Sequence, residues 1–219
     1  MNMGATGGQI AQWNEVDVTT FRDGIYSTNQ PAALRGMVRH WPAVQQGSAS
    51  AGRRRFTLFP PEQLPNLYPA PLDITLAGVP VSMVTLQDPD FERYPRFRQA
   101  LAAAKVIELE TGDALFIPYG WWHHVESLMP FNVLVNYWWN DRPPVSSPAD
   151  CLLHGLLALR SLPPAERVVW RNLFDYYVFQ THGDPLAHLA RKMRGLMGAT
   201  GPEQFGQMKA ILLRSLSRR

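Results

Sequence analysis

Apolar and polar residues alternate with a period of two through the middle of the chain and with a helical period toward its end. Arg54 to Phe59 alternates as a strand and is stopped by Pro60-Pro61. Val81 to Leu86, bounded by Pro80 and Asp88-Pro89, is a second predicted strand. Tyr94-Pro95 opens a run of helix formers that reaches Ala104. Val106 to Leu109, Ala114 to Ile117, Trp122 to Ser127 and Phe131 to Trp139 are predicted strands. Their separators are Thr111-Gly112-Asp113, Pro118-Tyr119-Gly120 and Met129-Pro130. Short strands with Gly/Pro turns at close spacing indicate an antiparallel sandwich or barrel. Beyond Ser147 the period changes. Ala149 to Leu162 and Pro164 to Gln180 carry apolar residues at helical spacing, and Pro163-Pro164 breaks between them. Pro185 starts a third predicted helix, ended by Gly195 or Gly198, and Pro202 starts a fourth. Residues 1–147 thus form a strand-rich domain and residues 148–219 a helical region. Before Ser50 the chain reads as short phrases around Trp13, Phe21 to Ile25, Pro31 to Gly36 and Trp41-Pro42.

With 219 residues the chain holds one domain, or one domain with an appendage. No apolar run approaches the ~20 residues of a membrane-spanning helix. Met1 to Gly8 has no charged start followed by an apolar run, so no secretory signal is expected. Cys151 is the sole cysteine, which excludes an intrachain disulfide and a thiolate zinc cluster and fits a reducing cytoplasm. Its apolar neighbours Leu152, Leu153, Leu156 and Leu157 predict a small buried packing residue rather than a nucleophile. The net charge of +3 is uneven: from Arg191 onward seven basic residues less Glu203 give +6, leaving the remainder at −3. Such a tail can bind nucleic acid, but no aromatic or nucleic-acid motif accompanies it, and a solvated helix face is the expected role.

Chemistry concentrates in Gly112 to Ser127 and in Asn132 to Trp139. His123 and His124 are adjacent on one predicted strand, so they point to opposite faces and only one can look into a barrel. In the next predicted strand Asn136 and Trp138 share a face. A polar Asn on an inward face needs a hydrogen-bond partner, and a bound ligand is one option beside ordinary satisfaction within the core.

The phrase Gly112-Asp113-x-Leu115-Phe116-Ile117-Pro118-x-x-Trp121-Trp122-His123 resembles the signature of the JmjC/cupin-like 2-oxoglutarate- and Fe(II)-dependent oxygenase family. The resemblance extends over Gly52 to Pro61, Leu67-Tyr68-Pro69, Asp88 to Phe97 and the phrase Pro31 to Pro42, all in matching order. It implies a double-stranded β-helix, or cupin jelly roll, followed by C-terminal helices that mediate a homodimer. It implies Fe(II) held by a His-x-Asp/Glu pair and a distal His, with 2-oxoglutarate and O₂ on the open positions. By this resemblance His123 is the distal metal ligand. Arg54 stands where the family has a Lys for the far carboxylate of 2-oxoglutarate, and a guanidinium can grip a carboxylate bidentately. Asn136 lines the co-substrate pocket, and Trp138 packs near the metal.

The departure is as informative as the match. The family carries its His-x-Asp/Glu pair shortly before the Arg54 phrase, but here only nine residues separate Trp41-Pro42 from Gly52, and no histidine lies between His40 and His123. On the order of a hundred residues are missing relative to a full domain, with Ser48 to Ala51 as the junction. A single imidazole cannot hold Fe(II) with useful affinity, so this chain is expected to be inactive or very weak as a hydroxylase of proteins or small molecules. Five or six strands remain where a closed jelly roll uses eight, which leaves Phe116, Trp121 and Trp138 expected to lack an opposite wall. The alternative reading is a non-catalytic, self-associating or binding module.

Overall fold

The computed structural model describes residues 8–45, 52–71, 80–140, 145–198 and 201–217. The junction at Ser48 to Ala51 lies outside them. Two compact units divide between Tyr137 and Trp138, ahead of the boundary expected at residue 147.

The first unit holds six strands in two three-stranded sheets. One sheet contains β1 (Ala11–Asn14), β2 (Ala32–Arg35) and β5 (Ala114–Phe116); β1 and β2 run parallel, and β2 and β5 antiparallel. The other is fully antiparallel in the order β4 (Lys105–Leu109), β3 (Arg54–Phe59), β6 (Trp122–Ser127). Alternation on β3 explains how the layers pack. Phe56 and Leu58 face a core shared with Ile107, Leu109 and Trp121 from the same sheet segment and with Ile10 and Ala33 from the other side. Phe59 points the opposite way, into a second core with Leu67, Val84 and the helix α2 (Phe97–Ala103), whose Phe97 and Ala100 are fully covered. A third core lies on the far face of the first sheet. There Ala32, Leu34 and Phe116 meet Val16 and Ile25, and Phe21 packs edge-on against Phe116. This β2 strand is buried at three successive residues, consistent with a sheet covered on both sides.

Several expectations need correction. Val81 to Leu86 forms no strand: it makes one isolated bridge, Pro69 to Ser82. The Ser82 hydroxyl donates to the Leu67 carbonyl and accepts from the Val84 amide, so a side chain takes up bonds a ladder would use. Phe131 to Trp139 contains no strand either, because no neighbouring strand pairs with it among the described residues. Phe116 and Trp121 do not lack a wall; both are buried, by the N-terminal segment and by the inter-sheet core respectively.

The second unit carries α3 (Pro148–Leu159), α4 (Pro164–Tyr177) and α5 (Pro202–Leu216), close to three of the four predicted helices. The short helix α1 (Pro42–Gln45) belongs to the first unit. The helix expected from Pro185 is absent. Turns span 185–188, followed by single 3-10 turns at Arg191–Met193 and Gly195–Gly198. Asp184 accounts for this: its carboxylate accepts from the Leu186 amide and pairs with Arg194, closing a loop instead of a helix. Cys151, expected to be buried, is exposed on α3, because none of the residues of α3 is buried.

Candidate functional site

The turn leading into the signature phrase is built before any ligand is considered. Gly112 has φ +92°, a conformation that disfavours side chains, and a Cβ there would come within 2.8 Å of Arg39 Cγ. The next residue, Asp113, has its carboxylate almost fully buried and accepts from the Gly36 amide at 2.8 Å, the Glu110 amide at 3.1 Å and Arg35 at 2.5 Å. Burial alone raises its pKa. The Gly36 amide, the Arg35 side chain and the Glu110 amide together outweigh that and hold it below the usual carboxylate range. The Gly-Asp of the phrase therefore ties β2 to β5 and serves architecture. The sequence shows an acid directly after a turn glycine but not its burial or its partners at 35–36, so this role of Asp113 appears only in the structure.

From this turn the chain passes through β5 to Trp121 and then β6, where cross-strand register fixes the direction of each histidine. His123 is opposite Leu58, and His124 is opposite Thr57. Leu58 belongs to the inter-sheet core, so His123 stands on the inner face and His124 on the outer, as strand alternation requires. His123 is solvent-exposed on that face. Arg54 lies on the same face, opposite Ser127, four residues along the ladder from Leu58. The separation between the two positions is about 13 Å at the rise of an extended strand. The Arg54 guanidinium is oriented by Asn132, whose side-chain oxygen accepts from Arg54 Nε at 3.2 Å. Asn132 is itself held: its amide nitrogen donates to Ser127 Oγ and to the Met129 carbonyl. Arg54 has no carboxylate partner among the described residues, whereas its neighbour Arg55 on the outer face pairs with Glu108 at 2.7 Å and Glu126 at 3.8 Å. The hydrogen bond with Glu108 is the main reason the Arg55 pKa is raised. The structure thus presents an aimed, unneutralised guanidinium fork on the inner face. Asn132 was not among the predicted site residues; its position five residues after Ser127 in an irregular turn carries no periodic signal.

The other two predicted co-substrate residues are not brought to this face by a strand. Asn136 and Trp138 are exposed and in no regular element, and Trp138 belongs to the second unit. Two His-x-acid spacings occur outside the stretch before Arg54, and sequence reading overlooked both: His124-x-Glu126 and His182-x-Asp184. In the first, both side chains lie on the outer face of β6 and approach the Gln87 amide nitrogen at 3.0 and 3.4 Å. In the second, His182 meets Thr181, and Asp184 is engaged with Arg194. The first pair stands on the face of β6 opposite His123, and the second belongs to the second unit. Among the described residues no three of His, Cys, Asp and Glu converge as a metal-holding group.

A cleft of about 260 Å³ beside β6 is lined by Phe59, Leu67, Val84, Phe97, Trp122 and by both His123 and His124. A second, of about 300 Å³, is lined by Gln12, Arg35, Arg39, Arg53, Glu108, Glu110 and Asp113. Its three arginines and three acids balance, and Asp113 and Arg35 are already committed to the turn.

Two facing sheets with a signature turn and an inward histidine define a cupin-type domain. Comparison with known proteins agrees: a family described as "Cupin-like domain" matches residues 49–144. Human HSPB1-associated protein 1 is 42% identical over 87 residues, covering 40% of this chain and 17% of that protein. Lysine-specific demethylase JMJ31 of Arabidopsis thaliana is 40% identical over 91 residues, 42% of this chain and 16% of that protein. The tRNA wybutosine-synthesizing protein 5 of Gallus gallus is 39% identical over 92 residues, 42% of this chain and 26% of that protein. The segment 49–144 is therefore similar to a cupin-like domain, and the relatives it matches are JmjC-type proteins of the 2-oxoglutarate and Fe(II) oxygenase family. It spans about a sixth to a quarter of the length of these relatives.

Proposed function

We propose that this chain is a cupin-like module of the JmjC oxygenase lineage that keeps the inner-face carboxylate grip but assembles no iron centre of its own, and so has little or no hydroxylase activity. The observation that carries this is the isolation of His123. It is inward and exposed, and no second imidazole or carboxylate accompanies it on its face among the described residues. One neutral imidazole gives too few bonds to hold Fe(II) against water. Arg54, aimed by Asn132 and without a carboxylate partner among the described residues, is the group that receives the far carboxylate of 2-oxoglutarate, and Asn136 and Trp138 are the remaining co-substrate contacts in this reading. The relatives' names point to a protein lysine in one case and a tRNA in another, so lineage alone selects no substrate.

Anaerobic titration with Fe(II), with and without 2-oxoglutarate, tests the proposal through the metal-to-ligand charge-transfer band. No band is expected. A band that is lost in His123→Ala overturns the reading, because a complete centre then forms around that residue. A band that survives His123→Ala but disappears in His124→Ala assigns the ion to the outer pair of His124 and Glu126 and leaves the inner face without iron.

A second reading is favoured by the helices. Leu152, Leu153, Leu156 and Leu157 on α3, Val168, Val169, Trp170 and Leu173 on α4, and Ile211, Leu212 and Leu213 on α5 are exposed apolar residues. In this reading the chain is a self-associating module, a homodimer formed through α3–α5. Introducing a charge on these faces, for example Leu212→Asp, would then halve the mass in solution.

A further inference from the structure

The segment 131–137 has the composition of a strand and no strand to pair with. Phe131, Val133, Leu134, Val135 and Tyr137 are 64%, 64%, 45%, 55% and 71% exposed. The segment contains no charged residue and no proline. Such a row of β-branched and aromatic residues is the kind of sequence that fits a pleated, half-buried surface. Among the described residues the same chain also has an unfilled place for a strand. In the sheet β4-β3-β6, β6 pairs with β3 along one edge and is the last strand on the other. On its inner face Val125 is 36% exposed and His123 is open to solvent. An edge of this kind, without a charged side chain on its inner face, is a template for strand addition.

The segment does not fold back onto β6 in its own chain. Asn132, bound to Ser127, Met129 and Arg54, pins the backbone just past the end of β6, and the residues after it pair with no strand among the described residues. Tyr137 then meets the Trp41 ring, at 6.2 Å between centroids. A donor strand and an acceptor edge that cannot meet within one chain are complementary between two.

We infer that residues 131–137 of one copy add to the free edge of β6 in a second copy, and the second copy does the same in return. Phe131, Val133, Val135 and Tyr137 share one face of an extended strand, so that face would lie over Val125 and His123 of the other copy. Residues 131–137 and the inner face of β6 (His123, Val125, Ser127) carry no carboxylate, Lys or Arg, so these two surfaces do not repel between copies. The area is sufficient: the exposed apolar side chains of one segment amount to several hundred Å² on the usual scale for aromatic and branched residues. Two-fold reciprocity brings this to on the order of 1,000 Å², which a specific interface requires. This contact is separate from α3–α5 and independent of whether iron binds.

The test is the mass of the full chain by sedimentation, from low-micromolar to hundred-micromolar concentration, together with amide hydrogen exchange. The expected result is a dimer in which the amides of 131–137 and of β6 are both protected, and lose protection on dilution. The double substitution Val133→Lys with Val135→Lys is expected to give a monomer with unchanged circular dichroism, since neither residue is part of a core. Val135→Pro, which removes one ladder amide at an exposed position, should weaken association at least tenfold while Val135→Ala does not. Three results overturn the inference: a monomer at the highest concentration, a dimer that survives the double lysine variant, or a dimer whose 131–137 amides exchange like those of an unstructured peptide. In the last two cases, loss of the dimer in Leu212→Asp would assign it to the helices instead.

Discussion

Replacing Asp113 by Asn keeps the size of the side chain and removes the charge that Arg35 faces and that two backbone amides share. An acid buried to this degree and then deprived of its charge leaves Arg35 partly buried without a partner. A loss of about 3 kcal/mol is expected in urea unfolding near neutral pH. The dependence on pH follows from the sign of the shift. The folded pKa lies below the ordinary value of 3.8, so the stabilisation is complete above that value and is lost as pH falls through the lower, native one. The difference between the wild type and Asp113→Asn should therefore shrink well below pH 3.8, and unfolding curves at the two pH values measure it. At the adjacent turn, Gly112→Ala places a Cβ against Arg39 at a φ of +92°. It should cost about 1–3 kcal/mol, read as a lower thermal midpoint. The letters Gly112-Asp113 were legible as part of a signature, but not as a clamp. Two of the partners of Asp113, Arg35 at the end of β2 and Gly36 just after it, are 78 and 77 residues away, and no local pattern reveals them. The direction of His123 was legible, because alternation along a strand needs only one reference residue, and Leu58 supplies it.

The paired strands β3, β4, β5 and β6 lie where the sequence placed strands, whereas β1 and β2 were read only as short phrases. The two expected strands that did not form have no ladder partner among the described residues. Arg54 to Phe59 is bordered on both sides, by β4 and β6, and its alternation was readable to the residue. Val81 to Leu86 and Phe131 to Trp139 have equal strand composition, but composition describes what a segment suits and not whether a neighbour exists. The helices show the converse. Apolar spacing located α3 and α4 and a starting proline located α5, whereas the same proline signal at Pro185 was overruled by Asp184, which bonds to Leu186 and Arg194 across the turn. α3 also carries a capping signal that can be tested. Ser147 has extended backbone, and its hydroxyl accepts from the Asp150 amide at 3.3 Å. Ser147→Ala should cost about 1 kcal/mol. The loss should appear as reduced helical ellipticity and as faster amide exchange in the first turn of α3, with the β-sheet amides unchanged.

On the scale of the whole molecule, the cores of the first unit and the surfaces of the second pose different physical problems. Three clusters of buried residues hold the sheets, and each draws on at least two elements far apart in sequence. The helices α3, α4 and α5 contain no buried residue, yet they display large apolar side chains. Exposed apolar area of that extent marks a surface made for contact. Association by either the strand or the helix route binds the folded state and not the unfolded one, so stability must depend on protein concentration. A tenfold rise in concentration is worth about 1.4 kcal/mol per dimer, half of it per chain. For a chain of 219 residues this corresponds to a rise of roughly 2 °C in the thermal midpoint. Calorimetric scans over a hundredfold range should therefore move upward by about twice that. A midpoint independent of concentration would mean that the apolar faces of the helices and the segment 131–137 remain in water in the folded protein. Only the inner-face reading of Arg54 and His123 would then be left to account for the chain.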